Sequence, residues 1–156
     1  MEYLPLLVKV GQSGCYSANM QYGPAFDTHE KYGLWIKHAP YSVMPKIKNI
    51  VTQNWMDEDG EDVFLPDTIR HEAYDLDLEF VYFEPDNESN NNFRLFVNEI
   101  KGKWLKLYES YTGICRHGVY LVSVDEDPKF IRRGEHDTVV WTAKFRVNQP
   151  DMNGSF

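Results

Sequence analysis

The sequence is poor in cysteine, in positive charge and in long apolar runs. Its two cysteines, Cys15 and Cys115, stand far apart with no CxxC spacing. Both are expected as reduced thiols, which excludes a disulfide framework. Lysine and arginine number 16 against 24 aspartates and glutamates, a formal net charge of −8. Gripping nucleic acid requires a clustered cationic surface, and so does adhesion to anionic lipid, so neither sequence-specific nucleic acid nor membrane is an expected partner. The opening residues 1–10 have no basic n-region, and their apolar run is broken by Pro5 and too short for a signal peptide or a membrane span. Synthesis and folding in a cytoplasm are expected. Internal repeats and low-complexity tracts are also missing, and no linker splits the chain.

Aromatic residues, by contrast, are plentiful: 10 Tyr, 9 Phe and 4 Trp make up 15% of the chain. They bury large areas and favour strands. A chain of 156 residues suits one domain with extensions and can bury a core without metals or disulfides. The first forty residues carry a possible strand over 6–10 and are then broken by Gly11, Gly14, Gly23, Pro24 and Gly33. They are expected to form an irregular arm (1–40) that docks on the body or on a neighbour. A hairpin follows, with arms over 47–55 and 63–66 and the acidic tip Asp57, Glu58, Asp59, Gly60, Glu61, Asp62. Asp59 and Gly60 suit a type I′ turn.

The clearest pattern is in residues 72–147. Tyr74, Leu76, Leu78, Phe80 and Tyr82 alternate with Asp75, Asp77 and Glu79, so one face of this strand is apolar and the other acidic. Phe93, Phe96, Val97 and Ile100 lie at i, i+3, i+4 and i+7, which predicts a helix over about 92–101, capped at Asn91 or Asn92 and ended by Gly102. Period two returns over 104–108, 119–124 and 138–147. In the last, Val139, Trp141, Ala143, Phe145 and Val147 face inward, and Thr138, Thr142, Lys144 and Arg146 face outward. The expected fold is mainly β (α+β): an antiparallel β-sandwich over 41–150 with one flanking α-helix, an acidic β-hairpin, the N-terminal arm and a frayed tail at 151–156.

Chemistry is harder to find. The acidic tip lacks calcium-loop spacing, since position twelve counted from Asp57 is Thr68. His29, His38, His71, His117 and His136 form no metal-ligand motif. His71 with Glu72, and His136 with Asp137, are sequence neighbours that point to opposite faces of a strand. Cys115 and His117 flank Arg116, whose cation could activate a thiol, but a turn between 108 and 119 accounts for them more simply. Phosphate-binding and nucleophile-elbow motifs are absent. No catalytic residue, metal or cofactor is expected. Asp75, Asp77 and Glu79 can meet Lys144 and Arg146 across strands, within or between subunits. With Trp55, Asp59 and Gly60 they form the expected interface set.

The order of elements resembles the tail-tube fold of long-tailed phages and related injection machines, over about residues 40–150. The resemblance rests on the run 54–63 with Trp55 and the acidic turn, on the helix followed by Gly102, Lys103, Trp104 and Leu105, and on the closing Phe145, Arg146, Val147, Asn148, Gln149 and Pro150. It implies a structural subunit of the tail-tube or distal-tail type, from a phage or prophage. Such a subunit forms a ring homo-oligomer, commonly a hexamer, around a DNA-passage channel and contacts other tail proteins. It would be made in the host cytoplasm and end in the virion tail. An acidic lumen would let DNA slide. The runner-up is a β-sandwich that binds carbohydrate or another ligand through Trp35, Tyr41 and Trp55. A hydrolase using Cys115 and His117 comes third.

Overall fold

The computed structural model describes residues 3–17, 19–38, 44–68, 70–84, 88–132, 138–150 and 156. The alternating segments become its longest strands. In β6 (Tyr74–Tyr82) Leu76, Leu78, Phe80 and Tyr82 are buried while Asp75 and Asp77 are exposed. In β10 (Thr138–Gln149) Val139, Trp141, Ala143, Phe145 and Val147 are buried and Lys144 is exposed. The two strands pair antiparallel over nine positions, from Val139 opposite Tyr82 to Val147 opposite Tyr74. That register sets both apolar rows on the same face.

Around this pair the chain builds one antiparallel sheet. Its strands are β1 (Leu6–Val10), β2 (Phe26–Asp27), β3 (Trp35–His38), β7 (Leu105–Glu109) and β8 (Cys115–Val124), with β6 and β10, in the order β2-β1-β7-β8-β10-β6-β3. A further strand, β9 (Lys129–Arg132), pairs with the start of β10 and prolongs the edge that β8 occupies. The expected class holds: the protein is mainly β, with a large antiparallel sheet and a flanking helix, consistent with a sandwich. The facing layers belong to a single sheet that rolls until its margins meet. Leu4, just before β1, bridges Ile36 of β3, and the Ile36 N–H donates to the Leu4 carbonyl at 2.9 Å.

Two side-chain hydroxyls complete this seam. Thr28 Oγ1 accepts from the Leu6 N–H and donates to the Leu34 carbonyl, both at 3.0 Å. Tyr111 Oη accepts from the Leu4 N–H at 3.0 Å and donates to the Ile36 carbonyl at 2.9 Å. Each satisfies backbone groups that the short ladder leaves over, which would otherwise be buried without partners. Thr28 opens the single-turn helix α1 (Thr28–Tyr32), capped by Asp27, whose carboxylate accepts from the His29 and Glu30 N–H groups.

The first forty residues therefore do more than dock. Leu6, Val8, Leu34 and Ile36 are core residues, fully buried beside β6 and β10. The glycines interrupt the pattern, and strands this short repeat an apolar residue only once, so they read as an arm. Residues between β1 and β2 do run irregularly along the body. Gly11 N–H donates to Trp104 O at 2.7 Å, and Trp104 N–H donates to Gln12 O at 3.0 Å. Residues 1–2, 18, 39–43, 69, 85–87, 133–137 and 151–155 lie outside the described residues, so the expected tail is represented by Phe156 alone. Its ring packs on Tyr108, and Lys9 Nζ donates to its backbone oxygen at 2.6 Å.

The helix α2 (Ser89–Ile100) starts earlier than its pattern indicates. Glu88 occupies the cap position, though its side chain makes no capping hydrogen bond to the first-turn N–H groups, so neither Asn91 nor Asn92 caps the helix. Asn92 instead donates to the Tyr82 hydroxyl at 3.1 Å. The apolar stripe lands as expected: Phe93, Phe96 and Ile100 are buried, and Phe93 stacks on Trp141 with ring centroids 4.4 Å apart. The stretch 115–118, expected as a turn, is the start of β8. Between β7 and β8, Leu105 faces Val119 and Leu107 faces Arg116, so β8 spends one extra residue there. Gly118, at φ 61, sits in this bulge.

Candidate assembly surface

Three features stand outside the core. The first is the charged outer face of β6 and β10. The register sets Arg146 opposite Asp75 and Lys144 opposite Asp77. Asp75 takes both cations: Arg146 Nη1 lies 3.0 Å from one of its oxygens and Lys144 Nζ 3.6 Å from the other. The hydrogen bond from Arg146, aided by the Lys144 charge, holds the Asp75 carboxyl below its ordinary range. The expected cross-strand pairing thus forms within the chain, through Asp75. Asp77 and Glu79 gain no hydrogen bond or ion pair among the described residues, so the acidic part of this face remains open to a partner.

The second feature is the hairpin of β4 (Val51–Gln53) and β5 (Asp62–Phe64). It connects β3 to β6 but contributes nothing to the core. Val51 faces Phe64 and Thr52 faces Val63, so apolar side chains occupy both faces. Val51 is 69% exposed, Phe64 66% and Leu65 65%, while Met56 is completely exposed. A two-stranded ribbon is marginal in water, and exposed apolar side chains grouped in this way make it a candidate interaction surface. Both of its strand edges are unpaired among the described residues, whereas the main sheet uses its margins to close on itself.

The tip differs from a two-residue turn. Residues 54–61 separate the strands, and among the described residues no position other than glycine has positive φ. Gly60 adopts φ 77 but Asp59 does not join it, so the type I′ turn is not formed. The acidic residues crowd a wider loop, where mutual repulsion is relieved by water. Trp55 Nε1 donates to Asp62 across the loop base at 2.9 Å. At the root of the ribbon Lys46 pairs with Glu72 at 3.9 Å, Asp67 lies nearby in sequence, and Lys48 and Arg70 add two cations, with the Lys48 N–H donating to Arg70 O at 2.9 Å. Between root and strands, Ile50, Val51, Phe64 and Pro66 wall a shallow pocket of about 240 Å³ that Lys48 and Arg70 also line. The expected interface set includes Trp55, Asp59 and Gly60 of this hairpin but none of its aliphatic residues or Phe64. The signal was the repeated β-branched and aromatic content of two segments too short to have a core face.

A third feature is an aromatic group on the outside of the main sheet, beside β7 and β8. Trp104 meets Tyr16 edge-on at 5.3 Å and Tyr120 at 5.5 Å, and its indole N–H donates to Gly14 O at 2.7 Å. These contacts secure the irregular 11–25 segment. Of the aromatics considered for sugar stacking, Trp35 has a face covered by His29 at 3.8 Å, and Tyr41 lies outside the described residues. Trp55, at the hairpin tip, is exposed.

The groups considered for catalysis are dispersed. Cys115 is buried, and burial pushes its thiol up despite the nearby Lys106, Lys9 and Arg116 cations. His117 Nδ1 lies 3.2 Å from the Tyr16 hydroxyl, and no described contact joins it to Cys115. His29 meets Glu84 at 3.0 Å, and His71 meets the Pro45 carbonyl at 3.1 Å. His136 lies outside the described residues. Among the described residues no three His, Cys, Asp or Glu side chains converge in the way a metal site requires.

Arg116 has a different partner from the one its neighbours suggest. Its guanidinium bonds Glu109 at 2.7 Å and the Tyr74 hydroxyl at 3.1 Å, with both charged side chains 2% exposed. Glu109 Oε1 also accepts from Thr112 at 2.9 Å, while its Oε2 is buried without a hydrogen-bond partner. Glu109 continues the inward row of Leu105 and Leu107, so this ion pair sits at one end of the core. Among the described residues no helix is long and apolar enough to cross a membrane. Compared with known proteins, the chain matches no family model and no curated sequence.

Proposed function

We propose that this chain is a structural subunit that assembles with copies of itself into a ring around a DNA-passage channel, as part of a phage or prophage tail. The observation that carries the reading is the hairpin: an apolar ribbon with two unpaired edges, held away from the core. Such a surface makes physical sense when another chain covers it. The acidic balance of the chain supports the same reading, because a negatively charged lumen repels DNA and keeps it mobile. Assembly would follow synthesis in the host cytoplasm, and other tail proteins would meet the free faces of the ring.

Light scattering over a concentration series, followed by electron microscopy, tests this. Rings with a central channel, in the purified protein or in tail particles that contain it, are the expected result. A monomer at every concentration, together with absence of the chain from sedimented tail particles, overturns it.

A further inference from the structure

The two ends of the hairpin are chemical complements of each other. At the tip, Met56 is completely exposed and is followed by Asp57 and Glu58. At the root, Ile50, Val51, Phe64 and Pro66 wall a shallow pocket, and Lys48 and Arg70 line it as well. Neither cation has a side-chain partner among the described residues. An apolar plug flanked by anions thus faces, in kind, an apolar socket flanked by cations. The ladder keeps the two apart within one chain. Lys48 and Arg70 come first, then Val51 opposite Phe64, then Gln53 opposite Asp62, and only then the loop. A tip cannot reach its own root along a paired ribbon, so the complement must come from another molecule.

We propose that the hairpin tip of one copy, led by Met56, seats in the hairpin root of a second copy. The inference rests on the assembly reading above and gives it a contact. Met56 supplies the unbranched, adaptable side chain that suits a shallow apolar pocket. Asp57 and Glu58 meet Lys48 and Arg70, and this complementarity sets which end meets which. A tip-to-root contact uses different patches on the two partners, so repetition closes into a ring when the rotation permits.

Charge reversal tests the contact. One variant carries Asp57→Lys and Glu58→Lys; a second carries Lys48→Glu and Arg70→Glu. All four positions are exposed and outside the core, and circular dichroism with thermal melting checks that both variants fold. Light scattering then reads association of each alone and of an equimolar mixture. Each variant alone should associate at least about tenfold more weakly than the unmodified protein, because like charges meet at the contact. The mixture should recover mass, since each tip then faces a root of opposite sign. Variants that associate as the unmodified protein does would overturn the tip-to-root contact while leaving assembly standing. Loss in both variants without recovery on mixing would also overturn it. An unmodified protein that stays monomeric and is missing from tail particles would remove the assembly reading and this contact together.

Discussion

The Tyr111 hydroxyl donates to the Ile36 carbonyl at 2.9 Å and thereby inserts itself into a backbone ladder. In an ordinary antiparallel bridge the Leu4 N–H would make that bond directly. Here the N–H reaches Tyr111 first, at 3.0 Å, and the phenol passes the interaction on. Tyr111 thus joins Thr28 and the direct bond from the Ile36 N–H to the Leu4 carbonyl in closing the sheet.

Replacing Tyr111 with Phe should therefore cost about 1–3 kcal/mol, the usual penalty for stranding buried polar groups. Urea unfolding measures it. Amide exchange adds a local check, since the Leu4 amide should exchange faster while amides in the middle of β10 slow or quicken only with global stability.

The buried Glu109–Arg116 pair should show strong non-additivity. Arg116→Met alone leaves a carboxylate buried among apolar side chains and should cost roughly 3–5 kcal/mol. Combining it with Glu109→Leu should recover most of that loss, because no unpaired charge remains. A double-mutant cycle on unfolding free energies reads the coupling.

Asp75 gives a pH dependence with a definite sign. Its carboxyl titrates below the ordinary value of 3.8, through the Arg146 hydrogen bond. The contribution to stability is complete above the unfolded-state pKa and is lost as pH falls through the lower, folded one. Asp75→Asn should flatten the stability profile in that acid window and leave its shape near neutrality unchanged. Carboxyl titration by NMR should show the Asp75 pKa rising toward the ordinary value in Arg146→Ala.

Gly118 should tolerate no side chain. Its φ is 61, and an added Cβ would lie 2.4 Å from Cγ of Gln149, which shares the neighbouring strand position opposite His117. Gly118→Ala should destabilise by more than about 1 kcal/mol. Gly113 has a similar φ of 70 with nothing within 4 Å of the added atom, so Gly113→Ala should cost less. Paired thermal melts separate the steric part from the backbone part.

How far the sequence could be read depended on the length of each pattern. Nine residues of β6 and twelve of β10 repeat period two often enough to declare their inner and outer faces. Three helical turns did the same for Phe93, Phe96 and Ile100. The four-residue β3 and the two-residue β2 offer no such repetition, and β9 follows Pro128 with no distinct alternation. The hairpin is legible in its turn residues, but its exposure is not, because local composition cannot say whether an apolar side chain meets a core.

What the sequence determined by itself is the β character of the chain, the inward rows of its two longest strands and the apolar face of α2. Those follow from backbone periodicity, which acts between residues a few positions apart. The tertiary structure alone decided that Leu4 meets Ile36, that Glu109 neutralises Arg116 inside the core, that Asp75 takes both Lys144 and Arg146, and that the β4–β5 ribbon is left outside. Each depends on strand order and register, which are fixed by contacts between distant parts of the chain competing for the same buried volume.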